Sequence, residues 1–251
     1  MKNNNLNNVL KKSSVIFLLI IIISLVILSN TNYSVVLALP QGATITFNET
    51  ENASTRPADT HIAAGGSFTS LVLNVTSQTS KWKAYVGNVT GRYVLQNSNN
   101  NTIYDWTLSS VQGEVYVSRN DSVEFSTLAC ANEGNITAED TALNINSSSD
   151  DSINQTFIQK THKTFVIGGT GTISNSSCYA IATYIDDEAQ TIDENANFQE
   201  ILLSDNTNMV YVTLLEDEQS GFDGGNYDFQ IIVPDDPGVA STPYYFYAEL
   251  G

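Results

Sequence analysis

Apolar residues recur at every second position along most of this chain, and only an extended backbone turns alternate residues to one face. Leu71, Leu73 and Val75 share a face, while Ser70, Val72 and Asn74 share the other. Tyr227, Phe229, Ile231 and Val233 alternate with Asp228, Gln230 and Ile232 in the same way. Similar runs occupy residues 43–47, 81–86, 113–118, 179–185, 209–214 and 244–250. They are rich in Val, Ile, Thr, Tyr and Phe, which suit a pleated, half-buried surface. The prolines stand at 40, 57, 234, 237 and 243, so none interrupts a strand in the long middle of the chain. Gly and Asn punctuate the runs, and Asp223-Gly224 reads as a hairpin turn joining strands at 209–215 and 227–233. The acidic stretch 133–152 holds one short helix, expected at 138–143. With no fixed-period repeat, the pattern predicts an all-β fold, an antiparallel β-sandwich or jelly-roll-like single domain.

The first 38 residues break that pattern. Lys2, Lys11 and Lys12 precede an apolar run at 15–29. As a helix this run spans about 22 Å, short of the ~30 Å hydrocarbon core of a bilayer. A positive start, a short apolar centre and small residues at Val36-Leu37-Ala38 are the parts of a secretory signal peptide. Cleavage is expected after Ala38, leaving 39–251 as the extracellular domain. The competing reading keeps 1–38 as an uncleaved membrane anchor, the one route by which this chain would touch a membrane.

Export gives the composition its meaning. Without the three leader lysines the chain carries 27 acidic against 7 basic residues, a net charge near −20. Nucleic-acid binding needs basic surface to displace counterions, so that class is excluded. Cys130 and Cys178 are the only cysteines, and in an oxidising compartment they are expected to form one disulfide. Ten N-x-S/T sequons begin at Asn48, Asn52, Asn74, Asn88, Asn100, Asn120, Asn135, Asn146, Asn154 and Asn175, with none beyond 176. In an exported chain these are acceptors for N-linked glycans.

Catalytic patterns are sparse. The exported part has two histidines, His61 and His162, both on loop-like ground, and no G-x-S-x-G elbow or H-E-x-x-H pair. Neighbouring carboxylates occur at Asp150-Asp151, Asp186-Asp187-Glu188, Glu216-Asp217-Glu218 and Asp235-Asp236. A glycosidase needs two that converge across a cleft, whereas solvated acidic loops explain each cluster more simply. No cofactor is expected. Calcium is the one ion the sequence suggests, held by Asp223, Asn226 and Asp228 around a tight glycine turn, although the 12-residue loop of an EF-hand is missing. Trp82 is expected in the core. An exposed Trp82 or Trp106 beside a groove would instead favour a sugar-binding or adhesive module. Ala43, Thr44, Ile45, Thr46 and Phe47 form a short alternating segment behind a flexible start, a candidate donor strand for the sheet edge of a second copy.

Residues 82–91 (WKAYVGNVTG), 104–119 (YDWTLSSVQGEVYVSR) and 221–233 (GFDGGNYDFQIIV), with the closing YYFYAEL, resemble a group of exported, β-rich archaeal cell-surface proteins. The resemblance implies a glycosylated envelope or filament setting and carries over no catalytic residues. The role expected from these features is a non-enzymatic structural glycoprotein. It would self-associate into a homopolymer, as a surface filament, pilus-like fibre or surface coat. A carbohydrate-binding module and an acid-pair glycoside hydrolase are the alternatives.

Overall fold

The computed structural model describes residues 39–168, 170–239 and 241–251. The expected leader and its cleavage point after Ala38 lie outside the described residues.

In chain order the strands are β1 (Gln41–Gly42), β2 (Trp82–Gly87), β3 (Arg92–Gln96), β4 (Thr102–Thr107), β5 (Gly113–Ser118), β6 (Ala129–Cys130), β7 (Phe165–Ile167) and β8 (Gly171–Ile173). There follow β9 (Ala180–Ala182), β10 (Gln199–Ser204), β11 (Met209–Leu214), β12 (Gln219–Ser220), β13 (Asn226–Tyr227), β14 (Phe229–Pro234) and β15 (Tyr245–Leu250). Two helices, α1 (Glu133–Ala142) and α2 (Ile153–Thr156), separate β6 from β7. Every ladder is antiparallel. The fold is all-β.

A seven-stranded sheet runs β1-β15-β5-β11-β10-β6, with β9 also paired to β10. Its centre is covered on both faces. On one face Val115, Val117, Leu202, Met209 and Tyr211 pack beneath Ile231 and Val233 of β14 and beneath Ile136, Ile153 and Phe157 of the helical segment. On the other, Tyr116, Ile201, Leu203, Val210 and Val212 pack beneath Phe165 and Ile167 of β7. Consequently β10 and β11 are buried at every position. Strand β2 pairs with β14, and this two-stranded layer lies over the large sheet as the second leaf of a sandwich.

Three local expectations change. The Asp223-Gly224 turn closes the small ribbon β12–β13 rather than joining β11 to β14, because those two strands belong to different layers. Gly224 has φ +81°, the left-handed conformation such a turn needs. The helix expected at 138–143 begins at Glu133, started by Asn132. The Asn132 side-chain oxygen accepts from the Asn135 amide at 3.0 Å, and the Asn135 side chain accepts from the Asn132 amide at 3.0 Å. That reciprocal pair satisfies two otherwise orphan donors. Finally, the alternating runs at 43–47 and 70–75 form no strand with the described residues of the chain. From residue 41 to residue 80 every position is solvent-exposed.

Candidate interaction surface

Residues 43–80 form an arm between β1 and β2. Among the described residues its backbone–backbone bonds are two: Ala43 N–H donates to Phe246 O at 2.8 Å, and Ser67 N–H donates to Ala64 O at 3.2 Å across the Gly65-Gly66 turn. Within this arm Leu71, Leu73 and Val75 are 58 %, 82 % and 77 % exposed. Period-two apolar residues on a backbone with free N–H and C=O groups are the ingredients of a strand that lacks a partner. The candidate donor strand Ala43–Phe47 opens the arm, and Ala43 is already bonded to the chain's own β15.

A second under-covered element follows at once. Among the described residues, strands β3 and β4 pair only with each other. Tyr93 lies opposite Trp106 and Leu95 opposite Tyr104, so all four side chains share one face of the ribbon. Tyr104 and Trp106 meet edge-to-face at 4.9 Å and are 61 % and 50 % exposed. Arg92 and Asp105 pair at 2.5 Å on the opposite face. A lone two-stranded ribbon in water is marginal, and a third strand or a covering surface stabilises it.

Charge divides the chain at the same boundary. Residues 39–113 hold four acids (Glu49, Glu51, Asp59, Asp105) and four bases (Arg56, Lys81, Lys83, Arg92), a net charge of zero. Residues 114–251 hold 23 acids against Arg119, Lys160 and Lys163, a net charge of −20.

Cys130 and Cys178 form the expected disulfide, closing a 48-residue separation. It ties β6 to the segment entering β9. His162 supports that segment; it lies on a loop, as expected, and is wholly buried. Its Nδ1–H donates to Lys163 O at 2.7 Å, while Nε2 accepts from the Ser177 and Cys178 amides at 3.1 and 3.0 Å. Burial lowers its pKa, opposed by the bond to Lys163.

Of the calcium candidates Asp223, Asn226 and Asp228, the two carboxylates have other partners. Asp228 is buried, and its two oxygens accept from the amides of Val89 (2.7 Å) and Glu218 (3.0 Å). Asp223 accepts from Gly225 N–H (2.9 Å) and from the Tyr227 hydroxyl (3.1 Å). Among the described residues no group of three or more His, Cys, Asp or Glu is placed to hold a metal ion. The acidic runs have structural work as well. Asp151 pairs with Lys81 at 2.5 Å, Glu216 with Lys163 at 2.6 Å and Asp235 with Lys83 at 3.2 Å.

Sequence reasoning missed one carboxylate pair. Glu114 and Glu249 lie directly opposite on β5 and β15 and are both buried. Glu249 accepts from the Tyr116 hydroxyl at 3.0 Å and from Gly168 N–H at 2.9 and 3.0 Å. Burial, with repulsion from Glu249, raises the Glu114 pKa to about 8, and burial raises that of Glu249 too. Under the β7–β8 turn this is a core feature, without the exposure a substrate would need.

Trp82 joins the core as expected, its ring centroid 6.3 Å from Phe157 and its Nε1–H donating to Asp151 O at 2.7 Å. Seven sequon asparagines are exposed and three, Asn120, Asn135 and Asn154, are half-buried. Two have the side-chain nitrogen engaged: Asn120 donates to Asn208 at 2.9 Å, and Asn175 donates to Glu194.

Comparison with protein-family models, with curated proteins and with solved structures finds no match for this chain. The functional reading therefore rests on geometry alone.

Proposed function

We propose that this protein is a non-enzymatic structural subunit of the cell exterior, which associates with copies of itself into a filament or surface coat. The exposed arm at 43–80 carries the reading. A sequence that alternates as a strand, and finds no ladder among the described residues of its own chain, is stabilised by the sheet of another. The disulfide is compatible with an extracellular setting, and N-glycans on the exposed sequons would keep such a coat soluble. The test is negative-stain microscopy of material shed from the native cell, with the chain identified by mass spectrometry. Fibres or lattices built of this chain are expected, and a uniformly monomeric product would overturn the reading.

The aromatic face of the β3–β4 ribbon favours one second reading, a carbohydrate-binding surface module. Tyr104 and Trp106 present the kind of open platform on which a sugar ring stacks. In that case binding to immobilised polysaccharides would be measurable, and Trp106→Ala would weaken it at least tenfold.

A further inference from the structure

The arm and the ribbon leave the body at opposite ends. Strand β1 runs antiparallel to β15, and the bond from Ala43 to Phe246 carries the chain off beside the start of β15. The arm returns at the same end. Thr79 Oγ1 and Lys81 Nζ bond Asp151 at 2.8 and 2.5 Å, just before β2 opens at Trp82. Strand β2 then runs along β15 in the same direction: Lys83 Nζ lies 5.5 Å over the Tyr244 ring, and Tyr85 meets Phe246 at 5.0 Å. Beyond β2, Gly91 abuts Leu250, and the Tyr93 hydroxyl donates to Gly251 O at 3.0 Å. The ribbon therefore springs from the C-terminal end of β15 and the arm from its N-terminal end.

From this we infer that copies join head to tail, with the segment 67–79 of one arm pairing as a strand along the β3–β4 ribbon of the next copy. The inference rests on the self-association proposed above and names its contact. Reach permits it. With the turn at Gly65-Gly66, the return leg 67–79 extends roughly 45 Å, about the diameter of a domain this size. Charge favours it. Residues 60–80 contain no Asp, Glu, Lys or Arg, and the ribbon's Arg92 and Asp105 neutralise each other. Two bodies of net charge −20 repel everywhere else. Area suffices. The large apolar side chains exposed on residues 67–79 and on the ribbon, at about 80 Å² each, total roughly 900 Å², close to the lower bound of a specific interface. Because the two contact surfaces differ, the interface is heterologous, and unless its rotation closes a ring it grows an open fibre.

Complementation tests this directly. Leu73→Asp disables the arm and Trp106→Asp disables the ribbon, each at an exposed position that leaves the core untouched, as a thermal melt of each variant would verify. Each full-length variant alone is expected to stay monomeric under conditions where the wild type polymerises. A 1:1 mixture is expected to give dimers and nothing longer, since one intact arm meets one intact ribbon. A polymerising wild type whose two variants fail to rescue each other overturns the head-to-tail contact and leaves self-association standing. Continued polymerisation of either variant alone overturns the contact as well. A wild type that is monomeric at every concentration overturns both.

Discussion

Residues 39–113 and 114–251 obey opposite rules. Every large buried apolar side chain among the described residues belongs to the second stretch, from Val115 to Val233. That stretch also carries the whole net charge of −20. The first stretch is neutral, and apart from β2, which pairs with β14 and packs Trp82 and Tyr85 against the core, its strand-forming residues face solvent. Both are β-patterned, so the pattern alone does not separate a core from a contact surface. What separates them is whether a partner lies within the same chain.

The sharpest ways to break this comparison act on the body. Removing the disulfide with Cys130→Ser and Cys178→Ser opens a 48-residue separation and should destabilise the body by about 4 kcal/mol in urea melts. Should the melt stay unchanged, residues 129–180 are held by packing alone. Next comes Leu202→Ala, which empties a wholly buried site in a strand covered on both faces. A loss of about 3 kcal/mol is expected, with no change in polymerisation beyond that due to unfolding.

Titration should follow, and it also belongs to the body. Glu114 has a folded-state pKa of about 8, above its unfolded value near 4.5. Its contribution is therefore complete below pH ~4.5 and is lost as pH rises toward ~8, worth on the order of 2 kcal/mol. Glu114→Gln should flatten the stability profile across that window. His162 works in the other direction. Its folded pKa is lowered, so stability falls as pH drops through its unfolded value near 6.5. Between pH 6.5 and about 8 only Glu114 of the two still titrates, so stability is expected to fall across that interval, and a flat profile there would mean that Glu114 is mis-assigned.

The smallest effect sharpens the contrast most. Leu73→Ala in the arm should change monomer stability by less than about 0.5 kcal/mol, because the side chain touches no core. The same substitution should weaken association at least tenfold. A loss of monomer stability near that of Leu202→Ala would mean the arm packs on its own body.

How much of this was legible in the sequence depends on what each residue's partner is. Strands β5 and β11 fall at the limits their alternation and flanking glycine or acidic residues mark, residues 113–118 and 209–214. Strand β10 reads Gln-Glu-Ile-Leu-Leu-Ser and escapes a period-two search, because burial on both faces removes the need to alternate. The run at 70–75 alternates without flaw yet forms no ladder, since periodicity fixes a face and not the chain that covers it. The closing strand's aromatics are divided between faces: Phe246 packs toward one core cluster and Tyr247 toward the other. The site residues follow the same logic. Glu114 and Glu249 lie 135 residues apart and meet only through the β5–β15 register. Asp228 looks like a turn ligand in sequence, but the fold turns it inward onto backbone amides.

Hydrogen exchange read by mass spectrometry on dilute monomer and on concentrated protein tests the division most directly. The account predicts that residues 67–79 and 92–107 gain protection on concentration, while 114–251 exchange at unchanged rates. Protection that rises inside the acidic body, with the arm still exchanging freely, would contradict it.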